Sequence, residues 1–229
     1  MIDLILWDID GTLMDFKASE KKAIKAAFAD FGIDITEEQT SLYSEINDKC
    51  WKMYERGEIE RKDVFTRRFY ELFKITNFSC DVEKLNEIYL TYLGEKYVLQ
   101  DNSLQVVTSL KGKYRQYIVT NGHVKPQTMK ITDSGLGDVV DGVFISDAVG
   151  CPKPEKGYFD YCFLKIGNVD LKKTMIIGDS LSSDMRGGNN AGIICCWYNP
   201  DGTENKTDVK IDYEIKSLSE VYDVLEKIK

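Results

Sequence analysis

The sequence predicts an α/β protein with a doubly wound, mainly parallel, Rossmann-like sheet that is interrupted early by an α-helical insert. Three observations predict this class: an apolar strand-like run over residues 4–7, a long stretch without strand signals, and alternating short apolar runs and helices from about residue 100. We expect residues 1–15 and 98–229 to form the α/β core. Residues 16–97 form the insert, and an insert of roughly eighty residues is large enough for a small domain.

Apolar residues recur at three- and four-residue spacing through the insert, which predicts helices over 18–31, 37–56, 61–73 and 81–93. Gly32 and Gly57 are typical helix stops. In the core, the apolar runs predict strands over 117–119, 143–145, 174–177 and 193–197, with an edge strand at 212–215. The segments beside them predict helices near 103–111, 124–134, 155–165, 182–190 and 217–228.

Composition excludes several functional classes. The net charge of −8 argues against a nucleic-acid polymer or an anionic membrane as partner, because both require a basic face. The apolar runs are too short to span a bilayer, and no basic region precedes the first strand, so we expect a cytoplasmic protein with reduced cysteines. His123 is the only histidine, which excludes a histidine-rich metal site and makes a Ser-His-Asp triad a poor interpretation.

Two carboxylates follow the first strand. Asp8 and Asp10 lie two positions apart, and Gly11 and Thr12 supply a turn and a hydroxyl directly after them. Either aspartate alone is an ordinary turn or cap residue. Two carboxylates crowded at one strand end repel each other unless a cation or a shared proton compensates the charge, so the pair indicates an active site.

The ends of three later strands also carry polar groups. Thr120, Asn121 and Gly122 follow one strand, and Ser146 and Asp147 follow the next, before Lys153 with a proline on each side. A further strand ends in the segment Gly178-Asp179-Ser180-Leu181-Ser182-Ser183-Asp184. Each motif alone is typical of a surface turn or a solvated lysine. Together, at one predicted sheet edge, several carboxylates with one lysine and one hydroxyl suit Mg²⁺ and a phosphate, and the lack of nearby His or Cys argues against zinc.

As a set, these motifs resemble the haloacid dehalogenase superfamily of phosphatases. The insert after the first motif resembles the cap of the subfamily that carries its cap at that site. Residues 45–47, 51, 55–59, 68–69 and 72–73 of the insert, with 183–192 and 196–197 of the core, resemble the pyrimidine 5′-nucleotidase branch. Gly11 departs from the pattern, since an acidic residue is frequent there in close members.

The resemblance implies a catalytic pair. Asp8 is expected to attack phosphorus and to form an aspartyl-phosphate, and Asp10 is expected to act as general acid and then as general base.

The resemblance also implies a Mg²⁺ site and a phosphate site. The metal ligands are expected to be Asp8, the Asp10 backbone carbonyl and Asp179, with Asp184 close behind them or bound through water. The phosphate-binding groups are expected to be Thr120, the Asn121 backbone and Lys153.

The expected substrate is a small phosphate ester, most specifically a nucleoside 5′-monophosphate with a pyrimidine base, and the expected state is a monomer or a weak homo-oligomer. Tyr43, Trp51 and Tyr54 offer stacking to a base, with Arg67 or Arg68 at its edge. The alternative is that these aromatic residues only pack between helices of the insert.

Other functions remain open on the same fold. A sugar-phosphate or phosphoglycolate phosphatase, or a phosphosugar mutase, shares these motifs. A 2-haloacid dehalogenase needs neither an acid at position 10 nor a metal cluster. A signalling domain with a phosphorylated aspartate fits poorly, because of the large insert and because Asp10 would speed loss of the phosphoryl group.

Overall fold

The structure is a computed structural model that describes residues 1–228. The chain divides into two compact units. The core unit consists of Met1–Asp15 and Leu99–Lys229, and the helical unit consists of Phe16–Val98. Among the described residues, no helix has both the length and the apolar character needed to cross a membrane.

The core unit is built on a six-stranded sheet in which every strand pair is parallel, with the order β3-β2-β1-β4-β5-β6. The strands are β1 (Leu4–Trp7), β2 (Arg115–Thr120), β3 (Gly142–Ile145), β4 (Thr174–Gly178), β5 (Ile194–Tyr198) and β6 (Tyr213–Ile215). Apolar residues of β1 and β4 are buried throughout, as expected for central strands covered on both faces. This sheet confirms the predicted α/β class, including β6 as an edge strand.

The sheet register explains why the polar motifs come together. Trp7 of β1 lies opposite Ile118 of β2 and Ile177 of β4. The residues that follow these three positions therefore emerge at the same edge of the sheet, which is where ligands bind in open parallel sheets.

The helical unit contains four helices, as the sequence predicts: α1 (Phe16–Ala29), α2 (Glu37–Glu55), α3 (Arg61–Thr76) and α4 (Val82–Glu95). Thr36 and Gln39 form a capping box at the start of α2, and Asp81 caps α4 by accepting a hydrogen bond from the Lys84 N–H. The unit has its own apolar core, to which all four helices contribute.

Within its described residues, the core unit also contains six α-helices: α5 (Ser103–Leu110), α6 (Val124–Asp133), α7 (Ser146–Val149), α8 (Lys156–Ile166), α9 (Arg186–Ala191) and α10 (Val221–Lys227). Two predictions need correction. The predicted helix over 182–190 is a π-helical turn, Leu181–Met185, followed by the short α9. The predicted helix over 217–228 is a 3₁₀ turn, Leu218–Glu220, followed by α10. In addition, the single turn α7 was not predicted.

Candidate active site

Asp8 and Asp10 occupy a tight turn at the end of β1. The Asp8 N–H still donates to the Ile177 carbonyl at 2.9 Å, so Asp8 continues the sheet by one residue. Gly11 has a φ of +93°, and a Cβ atom there would lie 2.5 Å from Asp179 Oδ2. Glycine at position 11 is therefore required by both the backbone and the neighbouring carboxylate, so an acidic residue would not fit here without movement.

Asp179 and Asp184 are supplied by the loop after β4. The Trp197 indole N–H donates to the Asp179 carbonyl at 2.8 Å, and the Ser180 backbone N–H donates to Asp184 Oδ2 at 3.1 Å. The π-helical turn between them brings Asp184 back over Gly178, where a Cβ atom would lie 2.4 Å from the Asp184 carboxylate. Loop and turn thus direct both carboxylates toward the end of β1.

Asp8, Asp179 and Asp184 form a compact acidic cluster. One carboxylate oxygen from each lies within 4.8 Å of the others. Lys153 is fully buried beside this cluster, and its ammonium donates to Asp8 Oδ1 at 2.7 Å, Asp184 Oδ1 at 2.6 Å and the Val119 carbonyl at 2.8 Å. One ammonium therefore pairs with two carboxylates of a cluster that holds three.

The excess negative charge of the acidic cluster shifts the pKa values of its members. Burial and the Asp184 carboxylate raise the pKa of Asp8 well above its ordinary value, although Lys153 opposes this shift. Burial and Asp184 likewise raise the pKa of Asp179 to about 7. Burial alone would lower the pKa of Lys153, but the carboxylates of Asp184 and Asp8 raise it, so Lys153 stays charged.

The acidic cluster fits a hard divalent cation. Asp8 Oδ2 is buried and has no hydrogen-bond partner within the described part of the chain. A buried carboxylate oxygen without a partner is costly, and a cation held by oxygen ligands would relieve the cost. The cluster contains only carboxylates, which is the donor set that Mg²⁺ prefers over zinc.

The predicted phosphate-binding residues lie beside this cluster. The Thr120 hydroxyl oxygen accepts hydrogen bonds from the Gly122 N–H at 3.1 Å and from Gln127 Nε2 at 2.6 Å. Because both of its acceptor positions are used, its own proton is left to donate to a ligand.

Asn121 positions the lysine loop. Its side-chain amide makes a reciprocal pair with the Lys153 backbone, donating to the carbonyl and accepting from the N–H, each at 2.8 Å. The side chain of Asn121 is thereby committed to the lysine loop. Lys153 uses all three of its N–H groups, so a phosphate oxygen would have to replace one of its present acceptors.

The Asp10 carboxylate stands apart from the acidic cluster and has its own partners. Lys130 of α6 forms an ion pair with Asp10 Oδ1, and Gln127 Nε2 donates to Asp10 Oδ2 at 2.7 Å. Neither Gln127 nor Lys130 is predicted as a site residue from the sequence. Their only sequence signal is a pair of polar residues three apart in a helix that follows a motif strand.

The helical unit requires one correction. Tyr43 and Arg68, which the sequence offered for base recognition, are buried inside that unit. Arg68 donates to Asn47 at 2.9 Å and Asn86 at 2.8 Å, so it is a structural residue. Trp51 and Tyr54 are half-buried and Arg67 is exposed, so these three remain accessible.

The family assignment follows from comparison with known proteins. The model of the haloacid dehalogenase-like hydrolases matches residues 2–192 of this chain. The chain belongs to this family. It is therefore a hydrolase, and the resemblance seen in its sequence motifs is confirmed.

Three relatives of this hydrolase match over nearly their whole length. The HAD-hydrolase YfnB from Bacillus subtilis is 36% identical over 96% of this chain and 94% of its own. The pyrimidine 5′-nucleotidase PynA from Streptococcus pneumoniae is 33% identical over 97% and 94%, and the pyrimidine 5′-nucleotidase YjjG from Escherichia coli is 29% identical over 97% and 97%. A crystal structure of YfnB bound to magnesium covers 98% of both chains with a TM-score of 0.94.

Proposed function

We propose that this hydrolase is a Mg²⁺-dependent phosphatase that cleaves nucleoside 5′-monophosphates, with a preference for pyrimidine bases. The observation that carries the phosphatase proposal is that two nearby carboxylates have different surroundings. Asp8 has a buried oxygen without a partner inside an acidic cluster, whereas Asp10, two residues on, is held outside that cluster by other groups. Paired acids in different environments take different chemical roles.

In the proposed reaction, an Asp8 oxygen attacks phosphorus while the bond from phosphorus to the ester oxygen breaks. The leaving oxygen takes a proton from Asp10, and the product is an aspartyl-phosphate. Water then attacks the same phosphorus and gives a proton to Asp10, the bond to Asp8 breaks, and inorganic phosphate is released. Asp10 thus ends the cycle in its starting protonation state.

The remaining site residues are proposed to bind charge. Asp8, Asp179 and Asp184, with the Asp10 backbone carbonyl, would hold Mg²⁺. Bound Mg²⁺ supplies positive charge that allows the phosphate and the Asp8 carboxylate to approach each other.

The phosphate oxygens are assigned to three groups of the core unit. The Thr120 hydroxyl proton, the Asn121 backbone and the Lys153 ammonium would bind them and stabilise the transferring group.

The presence of Asp10 and the acidic cluster favours phosphate esters over haloacids. A haloacid dehalogenase needs no acid to protonate a departing halide and no cation to offset a phosphate. The nucleotide part of the proposal rests on PynA and YjjG, which match along nearly the whole chain, both units included.

We assign base recognition to accessible aromatic residues of the helical unit. Trp51 lies edge-on to Tyr54 at 6.0 Å and to Phe65 at 6.2 Å between ring centroids, and Arg61 lies 5.7 Å from the Phe65 ring centroid. A half-buried indole held by two neighbouring rings offers a rigid face for stacking on a flat base.

A phosphate-release screen over nucleotides, sugar phosphates and phosphoglycolate, with Mg²⁺ or with EDTA, tests the proposal. We expect pyrimidine nucleotides to give the highest kcat/KM and EDTA to abolish turnover. Full turnover in EDTA would show that the reaction does not require Mg²⁺. A sugar phosphate or phosphoglycolate that is tenfold better, or about 1.4 kcal/mol, would refute the nucleotidase proposal and leave the phosphatase proposal standing.

The base contact has its own test. Trp51→Ala should lower kcat/KM for UMP more than for p-nitrophenyl phosphate, which has no base. Tyr70→Ala is the matched control, since Tyr70 is an aromatic residue of the same unit that is 53% exposed. Equal losses on both substrates would mean that Trp51 only packs within its unit.

A further inference from the structure

Two side chains of a single helix, α6, bind the two oxygens of the Asp10 carboxylate. Lys130 pairs with Oδ1, and Gln127 donates to Oδ2 at 2.7 Å. Both donor side chains are almost fully buried, whereas about a quarter of the Asp10 side chain is exposed. Each oxygen keeps a second lone pair, so the carboxylate remains able to exchange a proton at its open side.

The position of α6 allows both side chains to reach the Asp10 carboxylate. Gln127 and Lys130 are three residues apart and therefore project from the same face of the helix. Helix α6 begins four residues after the end of β2, and Gly122 in that short connection leaves room for the amide, because a Cβ atom there would lie 1.9 Å from Gln127 Nε2. The same amide nitrogen donates to the Thr120 hydroxyl at 2.6 Å. One side chain thus links Asp10 to a phosphate-binding group.

A contribution to fold stability does not readily explain why the Lys130 ammonium is buried beside Asp10. A buried ammonium is unfavourable unless it is paired, and replacing a whole buried ion pair by apolar residues is often neutral or stabilising. Among the described residues, the Lys130 ammonium pairs with the Asp10 carboxylate. That partner is partly exposed and would be solvated without it, so replacing Lys130 should cost the fold little.

We propose that Lys130 and Gln127 are positioning residues for the proposed acid and base, Asp10. The inference rests on the proposed phosphatase function and deepens it. Bonds to both oxygens hold the plane of the carboxyl group in one orientation, toward the ester oxygen in the first half-reaction and toward water in the second. Misplacement of a reacting group by about 1 Å can cost about 100-fold in rate, so the loss of either tether should impair proton transfer.

Leaving-group dependence tests this proposal. An alkoxide leaving group such as that of UMP needs a proton, whereas p-nitrophenolate departs as a stable anion. We expect Lys130→Met to slow the first turnover of UMP by about 100-fold and that of p-nitrophenyl phosphate by less than about threefold, measured by rapid quench with Mg²⁺. The effect should lie in kcat rather than KM, and Lys130→Arg should recover most of the rate on UMP.

A second signature comes from the second half-reaction. Hydrolysis of the aspartyl-phosphate requires the base whichever ester formed it. With p-nitrophenyl phosphate, Lys130→Met should therefore release one equivalent of p-nitrophenol quickly and then turn over slowly. Lys125→Met is the matched control, because Lys125 is an exposed lysine of the same helix, and it should behave as wild type.

The outcomes separate this inference from the proposed function. A wild-type protein inactive on every phosphate ester would refute the function itself. An active wild type with equal losses on both substrates in Lys130→Met would overturn the positioning role alone. If Lys130→Met does not fold, Lys130→Gln carries the same test, because it also removes the ammonium that pairs with Asp10 Oδ1. Failure of both variants to fold would show that Lys130 is structural and would overturn the proposal.

Discussion

Replacing Lys153 with methionine should destabilise the protein strongly when no divalent cation is present. The ammonium is fully buried and makes three hydrogen bonds of 2.6–2.8 Å, two of them to the carboxylates of Asp8 and Asp184. Methionine preserves most of the side-chain length but leaves both carboxylates without their counter-charge.

The magnitude follows from the burial of these groups. Removing one partner of a buried ion pair costs about 3–5 kcal/mol. The pKa of Asp8 is already raised by burial and by Asp184, so proton uptake by Asp8 offsets part of the loss and places the expected value near the lower limit, about 3 kcal/mol. For a chain of this length, that corresponds to a fall in Tm of about 6–12 °C.

Thermal and urea unfolding in EDTA measure this loss, with Lys156→Met as the control. Lys156 pairs with Asp160 at 2.6 Å, but both side chains are more than half exposed, so its replacement should change stability by no more than about 0.5 kcal/mol. Added Mg²⁺ should restore part of the stability of Lys153→Met, since a cation would again compensate the carboxylates. A loss below about 1 kcal/mol in EDTA would refute the view that Lys153 is the essential counter-charge of the cluster.

Three further predictions concern the nucleophile and the helical unit. Asp8→Asn should leave the fold intact and lower kcat by more than about 1,000-fold, or about 4 kcal/mol of barrier, and a smaller loss would contradict the nucleophile assignment. Arg68→Leu should cost about 1–3 kcal/mol in unfolding experiments, because it leaves the amide oxygens of Asn47 and Asn86 without their donor, whereas replacing the exposed Arg67 in Arg67→Leu should cost at most about 0.5 kcal/mol. Burial raises the pKa of Glu20 above its ordinary value of 4.5, so its contribution to stability is fully present below that pH and is lost as pH rises through the folded-state pKa. Unfolding of Glu20→Gln measured across this range should lack that decline, and an unchanged pH profile would assign it to another group.

The strand-end positions of the carboxylates are predictable from the sequence because their signals are local. Asp8 and Asp179 each follow an apolar strand directly, and parallel strands bring their carboxyl ends to one edge, so the juxtaposition follows from the fold class. The helices of the helical unit were predictable for a similar reason, since a spacing of three and four residues marks a buried helix face wherever it occurs.

The sequence by itself determined the sheet class, the family resemblance and the strand-end residues from which the site is built. Tertiary structure alone decided how their charges are shared. Lys130 and Gln127 meet Asp10 across 120 and 117 positions of chain, and Lys153 reaches Asp8 across 145. Tyr43 and Arg68 appeared suitable for a ligand yet are buried in the helical unit. The physical reason is that periodicity shows which face of an element is apolar, whereas the partner of a buried polar group depends on packing between elements distant in sequence.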